Sequence, residues 1–367
     1  MADEKTNRGA FLIQQHYCDA NAAPIYGRMC GALAAGLTRD SALGARILDW
    51  PGEPTRDALP LRLFGGFHAL VLSGADAGLA AVYAGAVTGE AEICAILERV
   101  LAEQEAALLP WLDGPPQTNE PGRSGALKLG LIALARQHGP KIELLEIGSS
   151  AGLNLLIDRY RFDLGGTWSG PAGAAVTITP EWKGPPAPAV PVEIVSVRGC
   201  DVNPLDATDP AVAARLAAFV WPETPERLAR VRAAIDMLRE RGVDLVQADA
   251  ADWIEARLAE PQAEGVTRVL MHSVVWQYLP EPVAERIRVA MKAAGAAATA
   301  ARPLGWVMME PDRALGHQVI RARSWPGDGA WTTVGTSHAH GTWIDTSGTT
   351  GDAAPGVDLP EAARVSV

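Results

Sequence analysis

A short run of mostly apolar residues, Ile142 to Ile147, is followed at once by five small residues, Gly148 to Gly152. The segment Asn154 to Tyr160 then has a composition compatible with a helix. A buried strand, a tight turn of small residues and a helix in this order are typical of a βαβ unit in a parallel sheet. Ligands bind at the carboxyl edge of such a sheet, where small residues let a ligand approach the backbone closely. The sequence therefore predicts a ligand site at residues 146 to 152.

Strands and helices continue to alternate after this turn. The further predicted strands are Glu193 to Val197, Val243 to Gln247, Val266 to Met271 and Trp306 to Met309. Alternation of this kind predicts right-handed crossovers and a mostly parallel sheet with helices on both faces. At the end of the chain, Gln318 to Arg323 and Trp331 to Asp345 are joined through Pro326 to Gly329, which predicts an antiparallel hairpin.

The residues before 141 have apolar positions at helical spacing and no strand-like alternation. The predicted helices are Phe11 to Ala20, Ile25 to Leu37, Arg39 to Trp50, Leu59 to Ser73, Glu90 to Leu109 and Gly122 to Gln137. We therefore predict an α/β protein with an all-helical domain at 1–138, which forms a cap over the substrate, and a sheet domain at 139–367. A segment rich in glycine and proline, 164–191, is predicted to be an insertion that lies over the carboxyl edge of the sheet.

Composition limits the partners and the compartment. The formal net charge of −11 repels polyanions and argues against nucleic acid, so a small-molecule substrate is favoured. No segment reaches the roughly 20 apolar residues of a membrane span, and the start of the chain has no apolar signal region. The four cysteines form no CxxC pair. A reduced, cytoplasmic protein without membrane contact is expected. His338 and His340 would share one face of a strand, but no third ligand is evident, so no metal site is predicted.

The turn resembles that of the class I S-adenosylmethionine-dependent methyltransferases, whose first strand ends in an acidic residue followed by a glycine-rich loop. Glu146 matches the acidic residue and would orient the cofactor, while Gly148 and Gly152 match the outer glycines. Ser150 stands where the family usually has glycine. The resemblance implies a Rossmann-like methyltransferase sheet over about residues 141 to 345.

Two later acids extend this resemblance. Asp201 follows the second strand, like the acid that binds the ribose hydroxyls, and a carboxylate suits a vicinal diol because it accepts several hydrogen bonds. Asp249 follows the third strand and would reach the adenine amino group. The residues implied to bind S-adenosylmethionine are Glu146, Gly148, Ser149, Ser150, Gly152, Asn154, Asp201, Asn203, Asp249 and Ala250.

Methyl transfer needs an aligned nucleophile and in many cases a base that removes its proton. The base candidates are His272 and Glu310, which follow the fourth and fifth strands, and histidine is favoured because its ordinary pKa lies near neutrality. A buried structural histidine is the alternative. The residues predicted to contact the substrate are Asn119, Glu120, Arg123, Arg159, Tyr160, Trp276, Gln277 and Tyr278. Thr118 or Asn119 would otherwise cap a helix, and Arg159 and Tyr160 would pack against the insertion.

A closer similarity involves three segments. Gln117 to Arg123, Glu146 to Asn154 and His272 to Tyr278 are together similar to a bacterial family of unknown function that carries a helical amino-terminal domain. This similarity implies a fold but no activity.

Two other functions remain possible on the same residues. Gly148 to Gly152 also matches G-x-S-x-G, the nucleophile elbow of α/β-hydrolases, with Ser150 as a nucleophile in a serine esterase. Asp249 or Asp252 and His317 or His338 would complete the triad, but this leaves Glu146 without a role. The second alternative is a non-catalytic nucleotide-binding protein, which Ser150 in place of glycine would favour.

Overall fold

A computed structural model describes residues 3–348 of the chain. Contacts within the chain define two compact units: a helical unit, Met1–Thr118 with Asp209–Ala229, and a sheet unit, Asn119–Thr208 with Arg230–Val367. Helix Ser124–His138 was assigned to the first domain by the sequence prediction, but it lies in the sheet unit because it packs against strands of the sheet. The protein is thus α/β, with a helical amino-terminal region.

The first helix begins at Glu4 and not at the predicted Phe11, Ala77–Tyr83 is a helix that was not predicted, and the predicted helix Glu90 to Leu109 is divided. Most of the other predicted helices lie close to their predicted positions. The structure describes twelve α-helices. They are α1 Glu4–Ala20, α2 Pro24–Gly36, α3 Ala42–Leu48, α4 Leu59–Leu72, α5 Ala77–Tyr83, α6 Glu90–Glu103, α7 Glu105–Leu108, α8 Ser124–His138, α9 Pro210–Ala218, α10 Pro225–Arg241, α11 Ala250–Ala259 and α12 Glu281–Ala297. Side-chain oxygens of Asp3, Ser41, Asp76, Asp209 and Asp249 accept backbone N–H groups at five helix starts. Such caps satisfy donors that a helix leaves unpaired.

The helical unit has an aromatic and aliphatic core. Phe11, Phe64 and Phe67 are buried in it, and burying each such side chain stabilises the fold by about 1.5–3 kcal/mol. Among residues 3–140 there is no strand, as predicted. Within the described range no single helix is long and apolar enough to cross a membrane; only α4 and α5 taken together, bent by 110°, reach that length and composition.

The sheet unit contains twelve described strands. They are β1 Lys141–Ile147, β2 Arg161–Leu164, β3 Thr167–Ser169, β4 Thr177–Ile178, β5 Glu181–Lys183, β6 Glu193–Asp201, β7 Asp244–Gln247, β8 Thr267–Ser273, β9 Leu304–Asp312, β10 His317–Trp325, β11 Thr332–Ser337 and β12 Trp343–Asp345. Nine of them form one sheet in the order β5-β12-β11-β10-β9-β8-β1-β6-β7. The five strands from β7 to β9 in this order are parallel to one another, which confirms the predicted mostly parallel sheet.

The strands from β9 to β12 are each antiparallel to the next, whereas β5 at the edge is parallel to β12. β10 pairs with both β9 and β11, so the predicted hairpin is confirmed. The second predicted hairpin strand, Trp331 to Asp345, is in fact two strands, because a turn at residues 338–342 reverses the chain and pairs β12 with β11. His338 and His340 therefore lie in this turn and not on one strand face.

Helices cover both faces of the sheet. α8 packs against β9, β10 and β11 on one face. On the other face, α11 and α12 share a buried cluster with Leu145, Leu270 and Trp306 of the sheet. Strands covered on both faces are apolar over most of their length, which is why β1, β8 and β9 were recognisable in the sequence.

The central strand β1 lies between β6 and β8. The chain runs from β1 to β6 and β7 on one side, and then continues with β8 and β9 on the other side. In open parallel sheets, the reversal of strand order opens a crevice at the carboxyl ends, and ligands bind there. The fold therefore positions the end of β1 and the residues after it at a binding crevice.

The helix predicted from Asn154 to Tyr160 is absent, and this part of the prediction is wrong. A short 3₁₀ turn, Leu153–Leu156, follows the loop, and β2 begins at Arg161. The Ile157 N–H bonds to the Asn154 carbonyl, and the Leu153 carbonyl accepts the Tyr160 hydroxyl. The Tyr160 hydroxyl therefore takes the Leu153 carbonyl, which a longer helix would have paired with the Ile157 N–H.

The predicted insertion 164–191 is partly ordinary sheet. β3 and β4 pair with β2 in a small three-stranded sheet, and β5 pairs with β12 at the edge of the large sheet. The predicted position over the carboxyl edge is therefore wrong for β5, because β5 is itself a strand of the large sheet. Its partner, β12, lies more than 150 residues further along the chain.

Candidate functional site

The loop after β1 has the backbone conformation that small residues allow. Gly148 and Gly152 have positive φ angles of +67° and +76°. A Cβ atom on Gly148 would lie 2.2 Å from Cγ2 of Val275, which leaves no room for any other residue. The glycines therefore permit both the turn and its close contact with the segment after β8.

Ser150 lies in the left-handed region, with φ at +54°. Non-glycine residues reach this region at a cost of about 1–2 kcal/mol. The methyltransferase loop that the sequence resembles usually has glycine at this position, and glycine adopts such an angle without strain. The Ser150 hydroxyl is buried and has no hydrogen-bond partner among the described residues.

Asp201 connects the loop to the end of β6. Its Oδ2 accepts the Ser150 N–H (2.8 Å) and its Oδ1 accepts the Asn203 N–H (2.8 Å). The Ser149 N–H donates to the carbonyl of Cys200 (3.1 Å). Carboxylate oxygens have further lone pairs, so Asp201 retains the capacity to accept hydrogen bonds from a ligand.

Glu146 is buried beneath the loop, with 2% of its surface exposed. Among residues 3–348 its Oε2 has no hydrogen-bond partner. Burial, with a smaller contribution from the charge of Asp201, raises the pKa of Glu146 to about 8, while the hydrogen bond with Ser149 and the charge of Arg123 oppose the shift. At neutral pH this side chain is mostly the neutral acid, and a nearby cation would favour its ionised form.

A group of buried polar side chains supports the other side of the loop. The Asn119 Oδ1 accepts the Leu153 N–H (2.7 Å), and the Ser124 hydroxyl donates to Asn154 Oδ1 (2.7 Å). Glu120 accepts the Gly122 N–H, so Glu120 and not Thr118 or Asn119 caps the short 3₁₀ helix there.

Arg123, the third predicted substrate residue of this segment, is also buried, and its Nε donates to the carbonyl of Ala339 (2.9 Å). The structure thus brings Asn119 and Asn154 to the loop, while Arg123 binds the turn between β11 and β12.

His272 and Glu310 lie at the carboxyl ends of the adjacent strands β8 and β9. The His272 Nδ1 and the Glu310 Oε1 are 2.6 Å apart, and both residues are buried. The same oxygen accepts the N–H groups of Val275 (3.1 Å) and Trp276 (3.3 Å). The two predicted base candidates are therefore one hydrogen-bonded pair.

The residues after β8 form a short 3₁₀ turn, Trp276–Tyr278. The Trp276 ring is buried and stacks on His272, with ring centres 5.1 Å apart. Gln277 and Tyr278 are exposed, Tyr278 by 73%. Of the three predicted substrate residues in this turn, only Trp276 contacts the His272 pair.

The remaining predicted residues have structural contacts. Asp249 caps α11 through the N–H groups of Ala251 and Asp252, and Ala250 is the first residue of that helix. Asn203 is exposed, with its N–H bonded to Asp201. Tyr160 is buried below the loop, whereas Arg159 is exposed and lies beside Asp158.

The family follows from a match over nearly the whole chain. A sequence profile for DUF2332, described as an uncharacterized protein conserved in bacteria, matches residues 8–346. The chain belongs to the DUF2332 family. The predicted similarity to a bacterial family of unknown function is thereby confirmed. No curated protein and no solved structure matches this DUF2332 chain.

The hydrolase triad is not assembled in this DUF2332 protein. Asp249 caps α11, and Asp252 is paired with Arg286. Among the candidate histidines, the His338 Nδ1 accepts the His340 N–H, and His317 packs on Trp343. Since Ser150 Oγ has no hydrogen-bond partner within residues 3–348, none of these histidines activates it.

Three residues of the site were not anticipated. Ser124 holds Asn154, and Val274 has a left-handed backbone with φ at +54°. Gly199 in β6 lies against the loop, since a Cβ there would be 2.4 Å from the Ser149 hydroxyl. A glycine inside a strand signals close approach of another backbone or ligand, so Gly199 could have been found from the sequence. Val274 carries no such signal.

Proposed function

We propose that this DUF2332 protein is an S-adenosylmethionine-dependent methyltransferase that acts on a small molecule and has a Rossmann-like methyltransferase sheet. The observation that carries the proposal is the hydrogen bond from the Ser150 N–H to Asp201 at the β1 crevice. It joins the loop after the first strand to the acid after the second strand, so that one surface presents a glycine-containing turn and a carboxylate.

The charge of the site favours a cationic nucleoside over a dinucleotide. A pyrophosphate is best bound at the start of a regular helix, but a short 3₁₀ turn follows this loop. Glu146 and Asp201 add two acids instead, and one oxygen of Glu146 is buried without a partner among the described residues. S-adenosylmethionine carries a sulfonium and an ammonium group and no phosphate, so these residues fit it.

We assign the binding roles accordingly. Asp201 would bind the ribose hydroxyls, and Glu146 would bind the positively charged end of the cofactor. The small residues Gly148 to Gly152 would leave room for the nucleoside. Asp249 would meet the adenine amino group from its position at the start of α11. The cofactor supplies an electrophilic methyl group when bound, and the protein holds the acceptor and excludes water.

The proposal is tested by isothermal titration calorimetry with S-adenosylmethionine and with its demethylated product. We expect both to bind, and we expect Asp201→Ala or Glu146→Ala to weaken binding at least about tenfold, since each removes an interaction with a charged group. Asp244→Ala is the matched control, because Asp244 is an exposed acid at the opposite end of β7.

Absence of binding by the wild-type protein would refute the cofactor assignment. Binding with no turnover of any acceptor would instead favour the non-catalytic nucleotide-binding protein. A fluorophosphonate label that is lost in Ser150→Ala would favour the esterase.

A further inference from the structure

Glu310 is held by three hydrogen-bond donors on one oxygen. The donors to its Oε1 are the Val275 N–H, the Trp276 N–H and His272 Nδ1. Two of them are backbone amides, which can only donate. The turn after β8 therefore fixes the position of the Glu310 carboxylate, which we call the anchor.

This arrangement decides which nitrogen of His272 carries the proton. Oε1 already accepts from two amides, so the 2.6 Å contact with Nδ1 is a hydrogen bond when Nδ1 carries a hydrogen. In a neutral imidazole the other nitrogen is then a bare acceptor. Nε2 of His272 therefore presents a lone pair, and it is buried without a partner among residues 3–348.

The turn that supplies the two amides is strained. Val274 has φ at +54°, a conformation that is an outlier for a β-branched residue. It follows β8 directly, and the next two residues donate to Glu310. Strain of about 1–3 kcal/mol persists where the surrounding structure requires it, and such positions concentrate at functional sites.

Four buried polar atoms without a hydrogen-bond partner, among the described residues, lie in this one cluster. They are Nε2 of His272, Oε2 of Glu310, and the indole nitrogens of Trp276 and Trp306. The ring of Trp306 is 6.0 Å from His272 and 5.5 Å from Trp276, measured between centres. Buried polar groups are normally paired. Two acceptors and two donors without partners in one cluster therefore indicate that a ligand places a polar group there, among the aromatic rings.

We infer that this cluster is the acceptor site of the proposed methyltransferase and that the acceptor is a hydroxyl on an apolar body. A hydroxyl donates its hydrogen to His272 and accepts from an indole N–H with its lone pairs. An ammonium group has no lone pair for the indoles, and the aromatic walls favour an apolar body. Val275, the residue before Trp276, contacts the loop at Gly148, so the turn that holds this cluster touches the proposed cofactor loop at the carboxyl edge of the sheet.

The inference rests on the proposed function and adds an O-methylation step. The hydroxyl proton passes to Nε2 of His272 while the oxygen forms a bond to the methyl carbon. The carbon–sulfur bond breaks, and its electron pair stays on sulfur. Glu310 acts here as a positioning residue, because it fixes the tautomer of His272 and stabilises the imidazolium that forms.

The test uses ¹⁵N-histidine-labelled full-length protein, studied by NMR with phenol and toluene as probes. We expect His272 to show a protonated Nδ1 and a bare Nε2. Phenol should shift the Nε2 signal in a saturable way, and toluene, which lacks the hydroxyl, should bind about tenfold more weakly or not at all. The exposed His16 is the internal control and should respond to neither probe.

Two variants separate positioning from packing. Trp276→Phe keeps an aromatic ring but removes the indole N–H, so phenol should lose more affinity than toluene. Glu310→Gln keeps an oxygen for the two amides but removes the charge, so the tautomer of His272 should become mixed.

A protonated Nε2 in the wild-type protein, or equal responses to phenol and toluene, would overturn the inference. Calorimetry with S-adenosylmethionine on the same samples separates the two proposals. If phenol but not toluene shifts the Nε2 signal of His272 while the cofactor fails to bind, the result would support the hydroxyl site and refute methyl transfer.

Discussion

Two buried glutamates stand at the carboxyl edge of the same sheet and differ in their partners. Each residue has one oxygen without a hydrogen-bond partner within the described residues. The other oxygen of Glu310 in β9 accepts from three donors, two of them backbone N–H groups, whereas Ser149 is the side-chain partner of Glu146 in β1. Glu146 pairs across the sheet with Met271, the neighbour of His272, so strand alternation puts Glu146 and His272 on opposite faces. The difference teaches that two buried acids at one edge of a sheet can be held in different ways: backbone N–H groups fix the position of Glu310, whereas burial raises the pKa of Glu146.

The largest effect should follow from removal of the anchor. Glu310→Ala leaves the Val275 and Trp276 amides and His272 Nδ1 buried without an acceptor, and each such group costs about 1–3 kcal/mol. We expect the free energy of unfolding to fall by about 3–5 kcal/mol in urea titrations. Glu310→Gln should recover most of this loss, and the exposed Glu240→Ala should have almost no effect. A loss below about 1 kcal/mol in Glu310→Ala would mean that the anchor is not important for stability.

The second prediction concerns Glu146. The pKa of Glu146 is raised from 4.5 to about 8 in the folded protein, so between these pH values the folded state keeps a proton that the unfolded state has released. The stabilisation from this proton is complete below about pH 4.5 and is lost as the pH rises through 8. Glu146→Gln is neutral at every pH and avoids that loss.

From pH 6 to pH 8, the stability of Glu146→Gln relative to wild type should therefore increase by about 2 kcal/mol. Urea unfolding at the two pH values measures it, with Glu240→Gln as the exposed control. A difference that does not change with pH would show that Glu146 is already ionised in the folded protein, and the contrast with Glu310 would disappear.

The comparison also separates what the sequence could predict from what it could not. His272 and Glu310 were found because they follow two successive strands, and the ends of adjacent parallel strands meet at one edge. The strands themselves were recognisable from their apolar runs. The tautomer of His272 and the strain at Val274 could not be predicted, because they depend on amides whose position is set by tertiary contacts.

The helix predicted at 154–160 failed for a related reason. Leu153 to Ile157 is apolar except for Asn154 and is compatible with a helix or with any buried turn. In the structure, the Tyr160 hydroxyl takes the Leu153 carbonyl, which a continuous helix would have paired with the Ile157 N–H. The pairing of β5 with β12 is non-local. Local pattern predicts elements, but it does not identify a competing tertiary hydrogen bond.

The smallest expected effect concerns the loop beside Glu146, where Ser150, like Val274 beside Glu310, has a left-handed backbone. Ser150→Gly relieves the strain of a Cβ atom and Ser150→Ala keeps it, so the glycine variant should be more stable than the alanine variant by about 1 kcal/mol in urea unfolding. Glycine is normally the less stable of the two, and Ala293→Gly on the exposed side of α12 is the control in which that ordinary order should hold. Both Ser150 variants should retain the hydrogen bond from residue 150 to Asp201, since the backbone N–H donates it. If the alanine variant proves the more stable, then the loop does not require the left-handed conformation, and the match of residue 150 to the glycine of the methyltransferase loop loses its physical basis.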